Sequence, residues 1–330
     1  MKLTVTAARA LAQSAMEALG FEAEEAAATA DHLVDAGLRG LTFGSLPRVL
    51  AIGERLDAVG RVRRPLAVVH ETPVSALIDG GDHVGYFVAR EATALAIRKA
   101  KESGIAIVGA NNTYYTGLFS FYMEMATTAG FVAMAAGNGP AIVAPEGAAE
   151  PRLGTNPIAF GFPARPDPVI WDIGTCAIMH GELLLHKRTG SELPAGVALD
   201  RYGVPTRDPV AALGGAIRAW GGHKGSGLAV TVQLLGALCG GPGIAPGMQE
   251  MAYLVLVIDP KILLPNTDFT AQTSELADAI RTTRPLDPQR PVRMPFDRSA
   301  AERRRSLAED AIEVPEPVYQ SLLTLVQGRG

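Results

Sequence analysis

Apolar residues early in the chain recur at helical spacing. Ala8, Leu11, Ala12, Ala15 and Leu19 share one face of a helix read over residues 6–20. A second helix is read over residues 22–38. Its opening Glu22-Ala-Glu-Glu places acids where the helix dipole favours them. A third is read near residues 45–58. The period then shortens, and residues 67–70 and 74–79 read as strands joined by a turn. The Gly-rich stretch 80–85 breaks the pattern, and an amphipathic helix is expected over residues 86–103. Residues 105–109, 131–136 and 169–173 read as buried strands between loops dense in Gly, Asn, Pro and Thr. Residues 225–239 read as a buried helix, 253–259 as a strand, and 297–309 and 316–327 as helices. Arg298 and Arg303, Arg304 and Arg305 read as a solvated face. Helix and strand mixed in this way predict an α/β fold.

At 330 residues the chain has the length of two domains. Apolar residues at 48% against 19% charged exclude a disordered chain. A net charge of −4 offers no basic excess for a phosphate backbone, so no nucleic-acid partner is expected. Two cysteines cannot build a disulfide framework. The first residues lack the continuous apolar core of a signal peptide, and no stretch supplies about 18 uninterrupted apolar residues. The expectation is a cytoplasmic protein without a membrane partner. The six histidines are scattered, and there is no CxxC or HExxH, so no metal is expected. Walker-type, GxSxG and GxGxxG signatures are also missing.

Gly-rich loops holding polar residues remain. Asn111 to Gly117, with Thr113, Tyr114 and Tyr115, follows a buried strand and suits either a ligand crevice or a plain turn. Gly154, Thr155 and Asn156 form a loop whose small residues let backbone N–H groups approach a ligand. In Asp172, Gly174, Thr175 and Cys176, the Asp suits a ribose, a substrate or a helix cap. Cys176 is open to reading as a reactive thiol or a small core residue. Residues 193–209 form a loop long enough to suggest a role in function. Residues 221–227, with His223, Lys224 and Gly225, suit a phosphate at a helix start or a flexible entry.

In order, these segments resemble the malate/L-lactate dehydrogenase family of NAD(P)H-dependent oxidoreductases. The resemblance is carried by Leu38-Arg-Gly40, by Ala96-Ile-Arg-Lys-Ala-Lys-Glu-Ser-Gly-Ile-Ala106 and by Leu153-Gly-Thr-Asn-Pro157. The Asp172 segment, Pro205-Thr-Arg-Asp-Pro209 and Gly221-Gly-His-Lys-Gly225 complete it. Relatives of this type act on malate, sulfolactate, ureidoglycolate, diketogulonate and cyclic imino acids. The resemblance implies a mixed, non-Rossmann α/β fold with a largely antiparallel central sheet. It implies a helical substrate and dimerisation domain from residues 1–75 plus 285–330, an NAD(P)-binding domain over 76–284, and a homodimer.

The departures from the family pattern bear on chemistry. Relatives carry Ser-His-Gly shortly after Leu-Arg-Gly, and that His is the expected general acid. Here Gly44 takes the His position and Phe43 the Ser position; a one-residue gap makes them Phe43 and Thr42. Tyr115 stands at a second family His, and Cys176 at a Ser. A positioned acid contributes about 10²–10⁴-fold to a C=O reduction, whereas a protonated C=N needs only the hydride. An imine or a modified 2-keto acid is therefore expected over plain malate or lactate. Arg48 is the candidate for the substrate carboxylate. Tyr115 is the candidate substitute acid with Tyr114 beside it, and Phe43 is an apolar wall. The cofactor is expected at Thr113, Tyr115, Gly117, Gly154, Thr155, Asn156, Asp172, Gly174, Thr175, Cys176, Arg188, His223, Lys224 and Gly225. His186, Lys187 and Arg188 read either as a 2′-phosphate site, favouring NADPH over NADH, or as a solvated loop. The alternatives are a silent nucleotide-binding homologue and an altered biosynthetic reaction.

Overall fold

The computed structural model describes residues 1–60 and 62–328. Helices α1 (Val5–Ala18), α2 (Ala23–Leu38) and α3 (Pro47–Val59) form the first layer. The Thr4 hydroxyl caps α1 by accepting from Ala7 N at 3.1 Å. Strand β1 (Lys2–Leu3) pairs antiparallel with β13 (Ile312–Glu313), and α11 (Glu316–Gln327) follows that strand. One core therefore takes Met16, Leu33 and Ile52 from the start of the chain and Ile312, Val318 and Leu322 from its end.

The main sheet has seven strands: β2 (Ala67–Thr72), β3 (Ser75–Val84), β4 (Ile105–Tyr114), β5 (Val132–Gly137), β7 (Ile158–Phe162), β8 (Val169–Ile173) and β12 (Met251–Ile258). Their order is β2-β3-β4-β12-β5-β7-β8. The β3–β4 pair is parallel, joined by the crossover helix α4 (Gly85–Ser103), and the other neighbours are antiparallel. Along α4, Ala89, Ala92, Ala96 and Ala100 are fully buried, and such small side chains let the helix lie close on the sheet. Helix α5 (Phe119–Thr128) covers the same face through Phe119 and Tyr122. Helix α8 (His223–Leu238) covers the opposite face with Val232 against Ala136 and Ile158.

A smaller sheet of order β10-β9-β11-β6 uses β6 (Val143–Ala144), β9 (Ala198–Leu199), β10 (Pro205–Thr206) and β11 (Ala216–Arg218). It packs with α6 (His180–Thr189) and α7 (Pro209–Leu213) around Val143, Leu183, Leu193 and Ile217. Helices α9 (Phe269–Arg281) and α10 (Asp297–Ala308) precede β13. Among the described residues no helix is long and apolar enough to cross a membrane.

Several elements depart from the sequence reading, each through long-range pairing. The Gly-rich 80–85 stretch does not interrupt the chain's course: β3 runs on to Val84, with a register shift between Asp79 and His83. Asn111 to Tyr114 is not a loop but the end of β4, held by β3 and β12. The expected long loop 193–209 contains β9 and β10. Helix α8 is not buried all round, because Val230, Leu234 and Leu238 are 45%, 64% and 69% exposed. Arg303 is only partly on a solvated face, its side chain 36% exposed. It meets Glu124 at 2.9 Å and Asp35 at 3.2 Å, beside the buried Arg39, which lies 2.6 Å from both carboxylates. That cluster fastens α2, α5 and α10 together. Arg304 and Arg305 do stay at the surface, paired with Asp167 and Glu302.

Candidate active site

A cavity of about 90 Å³ opens where the first turn of α3, the end of β4 and the N-terminus of α6 converge. Arg48 enters it from α3. Its Nε donates to Tyr86 Oη at 3.3 Å, and its guanidinium carbon lies 4.3 Å from the centroid of the Tyr115 ring. Its Nη1 is enclosed and has no partner. Among the described residues no carboxylate pairs with Arg48, whereas the buried Arg39 and Arg55 have Asp35 and Asp82. The site thus holds a desolvated cation short of its anion. Gly181 makes this possible, because a Cβ there would sit 2.9 Å from Nη1 and 3.2 Å from the Phe43 carbonyl oxygen.

Phe43 and Gly44, in the turn Thr42–Gly44, line the cavity. Tyr115 lines it in a left-handed conformation, φ 54°. Burial raises the Tyr115 pKa, which weakens it as the expected proton donor. Tyr114 does not line the cavity. It is fully buried, with its ring 3.9 Å from the Arg55 guanidinium carbon, and burial pushes its pKa up strongly. The sequence gives no sign of His180. It lines the cavity at the start of α6 with an enclosed, partnerless Nδ1.

The Gly-rich loops meet through hydrogen bonds. Thr175 N donates to Thr155 O at 2.9 Å, and Trp220 N donates to Thr175 O at 2.9 Å. Asn156 Nδ2 reaches Ala229 O and Gln233 Oε1 on α8, each at 2.8 Å. A Cβ on Gly154 would strike Asn156, one on Gly174 would strike Met179, and one on Gly225 would strike the Trp220 carbonyl. Gly117 has φ +74°, and a Cβ there would strike His32 and Tyr86. Leu118 N donates to His32 Nε2 at 2.8 Å, and burial pushes that ring's pKa down to about 3. His32 is thus a neutral strut under the cavity wall.

Other expected cofactor residues have structural tasks. Thr113 Oγ1 donates to His83 O at 2.7 Å. Asp172 Oδ2 accepts from Ser120 N at 2.7 Å, capping α5, and burial raises its pKa to about 6. Cys176 is buried, with its thiol pushed up to about 12, so the core reading holds over the reactive one. Arg188 pairs with Glu54 on α3 at 2.8 Å, and His186 bonds Ser191 at 2.8 Å. That trio closes a helix and is not a loop. His223 and Lys224 are exposed in the first turn of α8, away from the cavity lining. Among the described residues no cluster of His, Cys, Asp or Glu has a metal-binding arrangement.

A groove of about 450 Å³ adjoins the cavity; Phe43, Gly117, Leu118, Pro157 and Met179 line both. Asp172, Gly174, Arg293 and Arg298 line the groove alone. Buried Asn138 lines the cavity with a partnerless Nδ2. Amide donors and cations beside close-packed glycine loops fit a dinucleotide.

The malate/L-lactate dehydrogenase family model matches residues 3–323. The chain belongs to that family. Its members are NAD(P)-dependent dehydrogenases and reductases, and the chain is one of them. It is 31% identical to the L-sulfolactate dehydrogenase of Methanocaldococcus jannaschii, covering 93% of this chain and 91% of that protein. It is 37% identical to a Delta(1)-pyrroline-2-carboxylate/Delta(1)-piperideine-2-carboxylate reductase of Pseudomonas aeruginosa, over 70% of this chain and 71% of that protein. A solved dehydrogenase from Sinorhizobium meliloti superposes with a TM-score of 0.90 at 30% identity, covering 99% of this chain and 98% of that one. The mixed sheet and its flanking helices are thus the family's fold.

Proposed function

We propose that this malate/L-lactate dehydrogenase family member reduces a small carboxylate-bearing C=N or C=O substrate, a cyclic imino acid or a modified 2-keto acid. The observation that carries this reading is Arg48, a guanidinium with an enclosed, partnerless Nη1 and no carboxylate beside it. A substrate carboxylate supplies the missing anion, and the planar fork orients it. Tyr86 and Tyr115 hold that fork in place. Phe43 and Met179 give apolar walls that keep water from the reacting carbon. Thr155, Asn138 and the Gly117–Leu118 turn would hold the nicotinamide end of the cofactor, with the Asp172–Thr175 segment alongside. Reduced nicotinamide supplies the hydride. NADPH is favoured over NADH on the two arginines that line the adjoining groove, Arg293 and Arg298, since Arg188 is spent on Glu54. The absence of a histidine at Phe43 and Gly44 favours an iminium, which arrives already protonated.

The test follows loss of reduced-nicotinamide absorbance with NADPH and NADH. Pyruvate and oxaloacetate are set against pyrroline- and piperideine-2-carboxylate. Turnover of the cyclic imines, faster with NADPH, is expected. Silence on all four substrates with both cofactors would overturn the reading.

The enzyme is further proposed to act in the cytoplasm as a homodimer. The helical layer, with the C-terminal segment, would serve as substrate domain and the central sheet as cofactor domain. Support for the dimer is the exposed apolar row Val230, Leu234 and Leu238 on α8. Light scattering is expected to give twice 34.6 kDa; a monomer at micromolar concentration would refute it.

A further inference from the structure

Of the six histidines, five are committed or distant. His32 accepts from Leu118 N, His83 meets Glu25, His186 bonds Ser191, and His70 and His223 lie exposed away from the cavity. His180 alone lines the cavity, at the first position of α6 and next to the glycine that Arg48 packs against. Its Nδ1 is enclosed without a partner, so Nε2 is the nitrogen left to meet a ligand. It reaches the cavity from α6, far in sequence from the turn at Phe43 and Gly44 where relatives carry their acid.

We propose that His180 takes over that acid's task, its Nε2 contacting the reacting heteroatom of a substrate whose carboxylate Arg48 holds. This rests on the reading that the cavity reduces such substrates. In a keto acid the carbonyl carbon receives the hydride and its electron pair from reduced nicotinamide. The π pair moves to oxygen, and that oxygen takes the Nε2 proton. The products are a 2-hydroxy acid, oxidised nicotinamide and neutral His180, which solvent reprotonates. The groups facing the ring are Arg48 of α3, Arg188 of its own helix, Tyr86 of α4 and Tyr115 at the end of β4. With no anion present, burial and the two guanidiniums push its pKa down to about 3. A bound carboxylate offsets those cations, so substrate binding draws a proton onto the ring.

Two measurements test this. In His180→Gln, which keeps an N–H but cannot pass a proton, kcat for keto acids is expected to fall by about 10²–10³-fold. The loss for cyclic imines is expected to be at least about tenfold smaller, and the keto-acid kcat loses the His-dependent limb of its pH profile. Wild-type kcat on keto acids in the variant would overturn the proposal. The second measurement needs no turnover. Histidine ¹⁵N resonances are titrated with and without pyrrole-2-carboxylate, a flat anion that is not reduced. One ring, absent from the spectrum of His180→Gln, is expected to rise in pKa by at least about three units, because a rise of about one unit from about 3 would leave it neutral at the working pH. If no ring responds, His180 does not meet the anion. If the ring responds but the wild type reduces nothing, the functional reading fails and the contact stands.

Discussion

Arg48→Met is expected to remove catalysis while leaving the empty protein as stable as before. Truncating one partner of an enclosed charge pair costs about 2–5 kcal/mol of binding, which lowers kcat/KM roughly 30- to 5,000-fold. The folded state gains little from this arginine. Its Nη1 is enclosed without a partner, so it bears desolvation that no carboxylate returns. Methionine keeps the apolar stem and removes that cost, at the loss of a cation–π contact with Tyr115 worth about 0.5–2 kcal/mol and of a long hydrogen bond to Tyr86 worth about 0.5–1.5 kcal/mol. Gain and losses nearly cancel, so the unfolding midpoint without substrate should stay within a few degrees. Thermal scans with and without pyrrole-2-carboxylate check this, because the anion should stabilise only the wild type. A fall of several kcal/mol in the empty variant would mean that Arg48 is a structural residue.

In the His180→Gln background, restoring the family's Ser-His pair by Phe43→Ser with Gly44→His is expected to raise keto-acid reduction by about 10²-fold. The backbone admits it. A Cβ on Gly44 would lie 3.6 Å from Ala36 Cβ and 3.7 Å from Leu118 Cδ2, which is ordinary contact. Both residues line the cavity, and removing the Phe43 ring makes room for an imidazole. With His180 present the gain should be small, because one acid already supplies the proton. Imine turnover should gain far less, since its nitrogen arrives with the proton. Steady-state kinetics on oxaloacetate and piperideine-2-carboxylate decide it. No rise on oxaloacetate in the His180→Gln background would mean that the turn at residues 43–44 does not reach the reacting atoms.

Much of this molecule is legible in its sequence where local pattern and tertiary demand agree. The spacing of Ala8, Ala12 and Ala15 foretells α1, which buries that face; the apolar run at Val169–Ile173 foretells a strand, but β8 lies at the edge of the sheet with Trp171 exposed, and is not the buried strand expected. Legibility ends where partners distant in sequence decide. Asn111 to Tyr114 carries loop chemistry, yet two neighbouring strands hold it in the sheet around a left-handed Asn112. Helix α6 opens on His-Gly-Glu and ends on His-Lys-Arg, with weak periodicity between. Its histidine therefore passes as one of a scattered set until the fold brings it beside Arg48. Arg48 itself is legible from its distance after Leu-Arg-Gly. That its guanidinium lacks a carboxylate is a fact of packing alone. Asp172 shows the reverse case: a strand-end acid that invites a ribose is spent on the N-terminus of α5.

The pairing of β1 with β13 bears on how the enzyme is made. Met1 N donates to Val314 O at 2.8 Å, and α11 closes the core under α1 and α3. Arg48 rides on α3, so the cavity wall that carries it is unfinished until residues 316–327 have left the ribosome. The strands of the main sheet are all translated before that point. A nascent chain therefore holds every strand of the main sheet before the layer that carries Arg48 is backed, and that layer is completed only when α11 docks on α1 and α3.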